Sequence, residues 1–124
     1  MEIKRINCVF LYCRDMARQR AFYEQALGLG KPVADAKWWV EWALGDGSHF
    51  ALHQAKPELI LHARPEFNTV KFSIEVSDIR AVAERLKSLG ARFHYEPRLE
   101  YGFWLAEFVD PEGNVLRLYE KPMK

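Results

Sequence analysis

The sequence has little of what would direct a chain to a membrane or to nucleic acid. Its longest apolar stretch near the start, Cys8 to Cys13, is too short to span a bilayer, and Arg14-Asp15 follows where a signal peptide would have a cleavage site. The 18 basic and 17 acidic residues are interspersed, with no basic block or stripe. We therefore expect neither a membrane nor a nucleic acid as partner.

Cysteine is also scarce, with two residues in the chain, Cys8 and Cys13. They lie five apart on one predicted strand, so their side chains point to opposite faces and cannot form a disulfide within it. Free thiols are typical of a reducing compartment, which predicts a cytoplasmic protein. The rest of the composition, 49% hydrophobic and 28% charged over 124 residues, predicts one soluble globular domain with an adequate core.

The strongest pattern in the sequence is a hairpin that occurs twice. The segment 110–114, Asp-Pro-Glu-Gly-Asn, has the residues of a tight turn, because proline fixes φ and glycine and asparagine accept positive φ. Apolar, β-rich runs flank it on both sides. Residues 38–53 align with residues 104–119 without a gap, which places Trp38 on Trp104, Glu41 on Glu107, Gly47 on Gly113 and Ala51 on Arg117. The match predicts a duplicated structural unit.

Similar segments precede each hairpin. Asp15 can cap a helix that ends at Leu27-Gly28, and Asp78 can cap a helix that ends at Leu89-Gly90. Strands are predicted at 6–13 and 70–76 before the helices, and at 31–36 and 91–96 after them. The sequence thus predicts an α+β fold of two tandem βαβββ modules, whose sheets form a cup with the helices outside. We assign module 1 to residues 1–55, a linker to 56–68 and module 2 to 69–124, in a single domain.

Strand alternation assigns the side chains to the two faces of each sheet. One set is mostly apolar and is predicted to face the helices. In the two hairpins it includes Val40 and Ala106, together with Trp38 and Trp104. The other set is predicted to line the cup and supplies the candidate site residues, namely Cys8, Phe10, Tyr12, Trp39, Glu41, His49, His53, Lys71, Glu75, Glu107, Arg117 and Tyr119.

Four segments carry a resemblance, in order and spacing, that covers the whole chain. They are Phe22-Tyr23-x-x-x-Leu27-Gly28-Leu29, the Asp78 that opens the second helix, Leu89-Gly90-Ala91, and Phe108-Val109-Asp110-Pro111-Glu112-Gly113-Asn114-Val115-Leu116. Together they resemble the vicinal oxygen chelate superfamily, which includes glyoxalase I, extradiol dioxygenases, fosfomycin-resistance enzymes and bleomycin-resistance proteins. The resemblance implies that superfamily's fold and a homodimer. It does not select one activity, because one fold hosts many functions.

In metal-dependent relatives, four strand positions hold a divalent cation, and the resemblance carries them onto Cys8, Ala51, Lys71 and Arg117. Alanine has no donor atom, and lysine and arginine bring positive charge with no lone pair at neutral pH. Two fixed cations at such a position would repel a divalent ion. We therefore predict no metal and no other cofactor.

Two classes of function remain open. The first is a binding protein of the bleomycin-resistance kind, which holds an acidic or carbonyl-bearing small molecule. Its polar end would lie at Lys71 and Arg117, and its apolar part would pack against Phe10, Tyr12, Trp39 and Tyr119. The second is a glyoxalase-, isomerase- or dioxygenase-type enzyme. It would use Glu41, Glu75 or Glu107 as general base, with the two cations stabilising an enolate or with a non-standard metal site.

The same residues also have plainer interpretations. The three glutamates would serve as ion-pair partners of Lys71 and Arg117, because buried carboxylates need partners. His49 and His53 lie roughly 13 Å apart along one predicted strand, so they would be polar lining and not ligands of one ion. Cys8 has no obvious histidine on an adjacent strand to activate its thiol.

Overall fold

The structure, a computed structural model, describes residues 2–54, 56 and 70–122. Within these residues the chain forms eight strands and two helices, in the order of two βαβββ modules. Nearly all of the predicted linker, 56–68, lies outside the described residues. Contacts divide the chain into a first unit, Met1–Glu24 with Gly28–Ala63, and a second unit, Gln25–Leu27 with Arg64–Lys124.

The first unit contains one four-stranded mixed sheet and one helix. Its elements are β1 (Val9–Cys13), α1 (Met16–Leu27), β2 (Ala34–Ala36), β3 (Trp39–Ala43) and β4 (His49–Gln54). The strand order is β1-β4-β3-β2, with β1 parallel to β4 and the other neighbours antiparallel. The helix packs on one face of this sheet, where the ring centroids of Tyr23 on α1 and Phe50 on β4 lie 5.1 Å apart.

The second unit repeats this arrangement. Its elements are β5 (Phe72–Glu75), α2 (Ile79–Ser88), β6 (Arg92–Glu100), β7 (Phe103–Val109) and β8 (Val115–Glu120). The strand order is β5-β8-β7-β6, again with one parallel pair, β5 and β8. Val82 and Leu86 on α2, and Leu116 and Leu118 on β8, are buried and form part of the core. The predicted α+β fold of two such modules is confirmed.

The predicted helix caps are present at both helices. The side chain of Asp15 accepts a hydrogen bond from the backbone N–H of Arg18 at 3.1 Å, and that of Asp78 accepts one from Ala81 at 3.1 Å. Each bond satisfies a backbone donor that the first helical turn leaves unpaired. After α1, Gly28 has a φ of 65°, a left-handed conformation that glycine adopts without steric cost.

The duplicated hairpin has the same pairing register in both units. Val40 lies opposite Leu52 in the first, and the equivalent Ala106 lies opposite Leu118 in the second. The turns also agree, because Gly47 and Gly113 have φ values of 93° and 92°. A shift of one residue would move every side chain to the other face of the sheet. The gapless sequence match therefore reports a true structural equivalence.

Several predicted strand ends, and the predicted direction of one side chain, are wrong. β1 begins at Val9 and not at residue 6, and β2 begins at Ala34 and not at residue 31. β5 begins at Phe72, so Val70 and Lys71 precede it, and β6 continues to Glu100 instead of ending near residue 96. Trp38 is not buried against a helix. It lies in the two-residue turn between the paired residues Ala36 and Trp39, where strand alternation does not apply, and 63% of its surface is exposed.

Candidate functional site

An aromatic cluster covers the side of the first sheet that faces away from α1. We define it as Phe10, Tyr12, Trp39 and His53. Tyr12 lies opposite His53, and His53 lies opposite Trp39, so three neighbouring strands place their rings side by side. The ring centroids of Phe10 and Trp39 are 5.3 Å apart and those of Tyr12 and His53 are 5.4 Å apart, which is the range of favourable aromatic contacts. Phe10 and Tyr12 remain about two-fifths exposed, at 41% and 42%.

Glu41 lies at the edge of this cluster and is held by two donors. The indole N–H of Trp39 donates to Oε1 of Glu41 at 3.0 Å, and Nδ1 of His49 contacts Oε2. The hydrogen bond with His49, followed by that with Trp39, lowers the pKa of Glu41. The carboxylate is thus stabilised in its charged form, which makes it a weak general base.

Cys8 lies just before β1 and is partly buried. Burial raises the pKa of its thiol, and the negative charge of Glu41 raises it further. The thiolate is the nucleophilic form of cysteine, so this environment argues against Cys8 as a nucleophile. Neither Cys8 nor Cys13 forms a disulfide.

A charged cluster occupies the second sheet. We define it as Lys71, His94, Glu107 and Arg117. Glu107 is at its centre, 8% exposed, with its Oε1 2.9 Å from Nδ1 of His94 and 3.8 Å from Nζ of Lys71. The predicted pairing of a glutamate with Lys71 is therefore present, but at the long end of ion-pair distances.

Arg117 is the member of the charged cluster that lacks a partner among the described residues. It lies directly opposite Glu107 on β7 and Ser73 on β5. Nevertheless, Arg117 forms no ion pair within that part of the chain, and its buried Nε donates no hydrogen bond there. Glu107 is already engaged by the two other members of the cluster. A buried N–H donor without an acceptor is costly, and a bound anion would remove that cost.

Sequence reasoning missed His94. The pairing of β6 with β7 shifts by one residue between Phe93, which lies opposite Phe108, and Tyr95, which lies opposite Glu107. His94 is the extra residue of this β-bulge, and a bulge can change the direction of a side chain. No simple alternation of polar and apolar residues would have placed its ring on Glu107. The proline at position 97 in the same strand is the one sequence signal of an irregular ladder.

The remaining predicted residues lie elsewhere. Glu75 has an exposed side chain whose Oε2 is 3.9 Å from Nζ of Lys121, so it does not join Glu107. The ring of Tyr119 packs against Phe103, with centroids 5.5 Å apart. Glu41 belongs to the first unit. Of the three candidate general bases, only Glu107 contacts a member of the charged cluster among the described residues.

Four residues of this chain, Cys8, Ala51, Lys71 and Arg117, correspond by resemblance to the metal ligands of metal-dependent relatives. Their side chains are not suited to bind a divalent cation. In the first unit, Ala51 is fully buried and offers no donor, and the thiol of Cys8 is held protonated. In the second unit, both positions are cations. Among the described residues, no group of three or more histidine, cysteine, aspartate or glutamate side chains is arranged to hold a metal ion.

An open groove of about 760 Å³ lies in the first unit, and none of the predicted site residues lines it. It is lined by Arg14, Asp15, Met16, Ala17, Lys37, Trp38 and Gln54. The side chain of Gln54 is occupied there, because its Oε1 accepts from the N–H of Met16 at 2.9 Å and its amide nitrogen donates to the carbonyl of Cys13 at 3.1 Å. The polar groups that hold α1 against β4 are thus already paired.

Comparison with known proteins places this geometry in a family. The sequence profile described as the Glyoxalase/Bleomycin resistance protein/Dioxygenase superfamily matches residues 5–118. No curated protein matches the chain significantly.

No helix within the described residues is long and apolar enough to cross a membrane.

Several solved structures share the fold at low sequence identity. A protein of unknown function from Agrobacterium tumefaciens str. C58 is 20% identical, with 98% of this chain and 97% of that chain covered and a TM-score of 0.77. A glyoxalase/bleomycin resistance protein/dioxygenase family enzyme from Burkholderia phytofirmans PsJN is 19% identical, with coverages of 92% and 96% and a TM-score of 0.75. TnmS3, an antibiotic binding protein from Streptomyces sp. CB03234, is 21% identical, with both coverages at 98% and a TM-score of 0.75.

Proposed function

The chain belongs to the glyoxalase/bleomycin resistance protein/dioxygenase superfamily, and we propose that it binds a small acidic molecule through Arg117 without a metal ion. The observation that carries this proposal is the buried Nε of Arg117, which has no hydrogen-bond partner in the described part of the chain. A planar guanidinium matches a carboxylate with two parallel hydrogen bonds. The neighbouring Lys71 adds a second positive charge on the same cluster.

The charge of the cluster supports an anionic ligand. Lys71 and Arg117 contribute two positive charges, and Glu107 contributes one negative charge that is shared between Lys71 and His94. The cluster thus retains an excess positive charge even with neutral histidine. A carboxylate, or an oxygen of similar charge, would balance it.

Two further observations support the binding of small molecules in general. One is the description of a protein with the same fold, and the other is the aromatic cluster of the first unit. TnmS3 is described as an antibiotic binding protein. In this chain, the aromatic cluster exposes part of Phe10 and Tyr12, which is a surface suited to flat apolar groups. We propose this surface as a separate contact region for organic molecules, with Trp39 as its fluorescent reporter.

Arg117→Ala tests the acid-binding proposal. We expect it to weaken binding of a small carboxylic acid by about 2–5 kcal/mol, as the loss of a desolvated charge partner does. Arg117→Lys should recover only part of the loss, because lysine keeps the charge but not the planar fork. The measurement is calorimetry with a panel of 2-oxo and aryl carboxylic acids found to bind the wild-type chain.

Lys121→Ala is the matched control, since this exposed lysine of the same unit is paired with Glu75 and does not contact the charged cluster. It should leave affinity unchanged. Equal affinities of wild-type and Arg117→Ala proteins would contradict the proposal. Binding that requires added zinc, nickel, iron or manganese would contradict its metal-free part.

We also propose a cytoplasmic homodimer. A second copy of the chain would cover the free edge of the second sheet and the exposed apolar residues of the β6–β7 hairpin, such as Leu99 and Phe103. Sedimentation velocity at tens of micromolar should give the mass of two chains. A single species with the mass of one chain, 14.5 kDa, would contradict this part of the proposal.

A further inference from the structure

The pairing of His94 with Glu107 gives the charged cluster a chemical capacity beyond binding. Nδ1 of His94 lies 2.9 Å from Oε1 of Glu107, and an ionised carboxylate at this distance accepts a hydrogen bond from the N–H of that nitrogen. The proton of a neutral imidazole is thereby held on Nδ1. Its Nε2 then carries the free lone pair and forms no hydrogen bond within the described residues.

The exposure of His94 keeps this lone pair accessible. Its side chain is 48% exposed, whereas that of Glu107 is 11% exposed. The buried carboxylate therefore orients the ring, and the ring presents its other nitrogen to the surroundings. This division between an orienting carboxylate and an exposed imidazole is the arrangement of an acid–base pair.

His94 and Arg117 lie on the two sides of Glu107. β7 separates β6 from β8, so the Cα atoms of the two residues are about 10 Å apart by the spacing of two neighbouring strands. Arg117 lies opposite Glu107 in the ladder and His94 contacts Glu107, so the two residues flank the same carboxylate. A small acid whose carboxylate contacts Arg117 can thus bring a carbon near its other end to His94.

We propose that His94 is a general base that removes a proton from the carbon next to the carbonyl of a 2-oxo acid bound at Arg117. This inference rests on the proposed acid binding. The C–H electron pair moves into the carbon–carbon bond and the carbonyl oxygen becomes an enolate, while Nε2 of His94 takes the proton. The imidazolium then returns the proton to the carbon or to the enolate oxygen, so no oxidant or other reactant is consumed.

Lys71, the second cation of the charged cluster, is placed to stabilise the enolate that this step forms. Nζ of Lys71 lies 3.8 Å from Oε1 of Glu107, which places an ammonium group beside the acid–base pair. Negative charge on an enolate oxygen is stabilised by a cation that is already in place. Glu107 is in this scheme a positioning residue, because it acts through the ring of His94.

The test is hydrogen–deuterium exchange at C3 of 2-oxobutanoate and phenylpyruvate in D₂O, followed by proton NMR, with calorimetry of the same acids. We expect the wild-type chain to bind them and to exchange C3 faster than buffer alone. His94→Gln should slow the exchange by about 10²–10⁴-fold, the usual contribution of a general base, with affinity changed less than about twofold. His49→Gln, which alters the carboxylate-bound histidine of the first unit, should leave the exchange rate unchanged.

Glu107→Gln distinguishes positioning from a structural role. It removes a negative charge opposite Arg117, so the acid should bind more tightly. The exchange rate should fall, because a neutral amide oxygen is a weaker acceptor for the N–H of His94 and stabilises the protonated ring less. Binding without exchange, or exchange that survives His94→Gln, would overturn the inference and leave the binding proposal intact. If neither acid binds, the acid-binding proposal fails for this ligand class, and the inference fails with it.

Discussion

Glu41 and Glu107 occupy the same place in two copies of one hairpin, but their surroundings differ in chemistry. The residue opposite Glu41 is Ala51, and the residue opposite Glu107 is Arg117. Glu41 is bound by an indole and an imidazole beside a cluster of rings, whereas Glu107 contacts one cation, Lys71, and an imidazole and lies opposite a second cation. The duplication has therefore kept the backbone and the carboxylate, and the neighbouring side chains decide what each face can bind.

The histidine partners sharpen this comparison. Each carboxylate contacts Nδ1 of a histidine, but His49 comes from β4, on one side of Glu41, and His94 comes from β6, on the other side of Glu107. The two contacts are thus not inherited from one ancestral pair of residues. A carboxylate that is partly buried on a sheet needs donors, and each module supplies them from a different strand.

Exchanging the residues opposite the two glutamates is the most severe test. Ala51 is fully buried and lies opposite Phe10 of the aromatic cluster, so Ala51→Arg should cost on the order of 3 kcal/mol or more by overpacking and by burying an unpaired charge. Arg117→Ala should change the free energy of unfolding by less than about 1 kcal/mol, because it breaks no ion pair among the described residues. Urea denaturation measures both, and equal losses would break the comparison.

Removing the charge of Glu41 should have an intermediate effect. Glu41→Gln should lower the free energy of unfolding at pH 7 by about 1–2 kcal/mol, because it weakens the bonds from His49 and Trp39. The control Glu75→Gln, at an exposed side chain, should change it by less than about 0.5 kcal/mol.

The pH dependence of Glu41→Gln follows from the sign of the shift. Since the pKa of Glu41 is lowered in the folded state, its stabilisation is present above the unfolded pKa of about 4.3 and is lost as pH falls through the lower folded value. The stability difference between wild-type and variant should therefore shrink on acidification below about pH 4. A difference that stays constant down to pH 2 would contradict the assignment.

The smallest expected effect tests the equivalence of the turns. Gly47→Ala and Gly113→Ala should each cost about 1 kcal/mol, because both glycines have left-handed φ values and a Cβ at either would meet no atom within 4 Å. The cost is thus purely one of backbone conformation. Gly45→Ala in the first turn, where φ is not left-handed, is the control and should be near neutral. Unequal costs at the two equivalent positions would show that the turns differ in strain.

The fold was predictable because its signals are local and occur twice. Asp15 and Asp78 cap their helices as the sequence predicts, and the alignment of Glu41 with Glu107 is matched by the pairing register. Strand alternation also assigned Val40 and Ala106 correctly to the buried faces. Strand ends were less predictable, since they depend on which backbone groups find partners and not on side-chain pattern.

The contacts of the charged cluster were only partly predictable. The positions of Lys71 and Arg117 follow from the repeat. Which of the two cations pairs with Glu107 depends on the reach of the side chains, and in the structure it is Lys71 and not Arg117. His94 could not be placed, because one extra residue in β6 alters the alternation on which the prediction relied.

The extra residue in β6 also has an evolutionary meaning. If His94 were deleted, the pairs Phe93–Phe108 and Tyr95–Glu107 would become consecutive, and the ladder would be regular at this point, as the β2–β3 ladder of the first unit already is. The second register shift, between Tyr95 and Arg98, would remain. A loss or gain of one codon would thus remove or supply the imidazole while keeping the strands on either side in register. Homologues of this chain are therefore expected to differ by a single-residue gap at this point, and that gap would separate chains that carry the histidine on Glu107 from chains that do not.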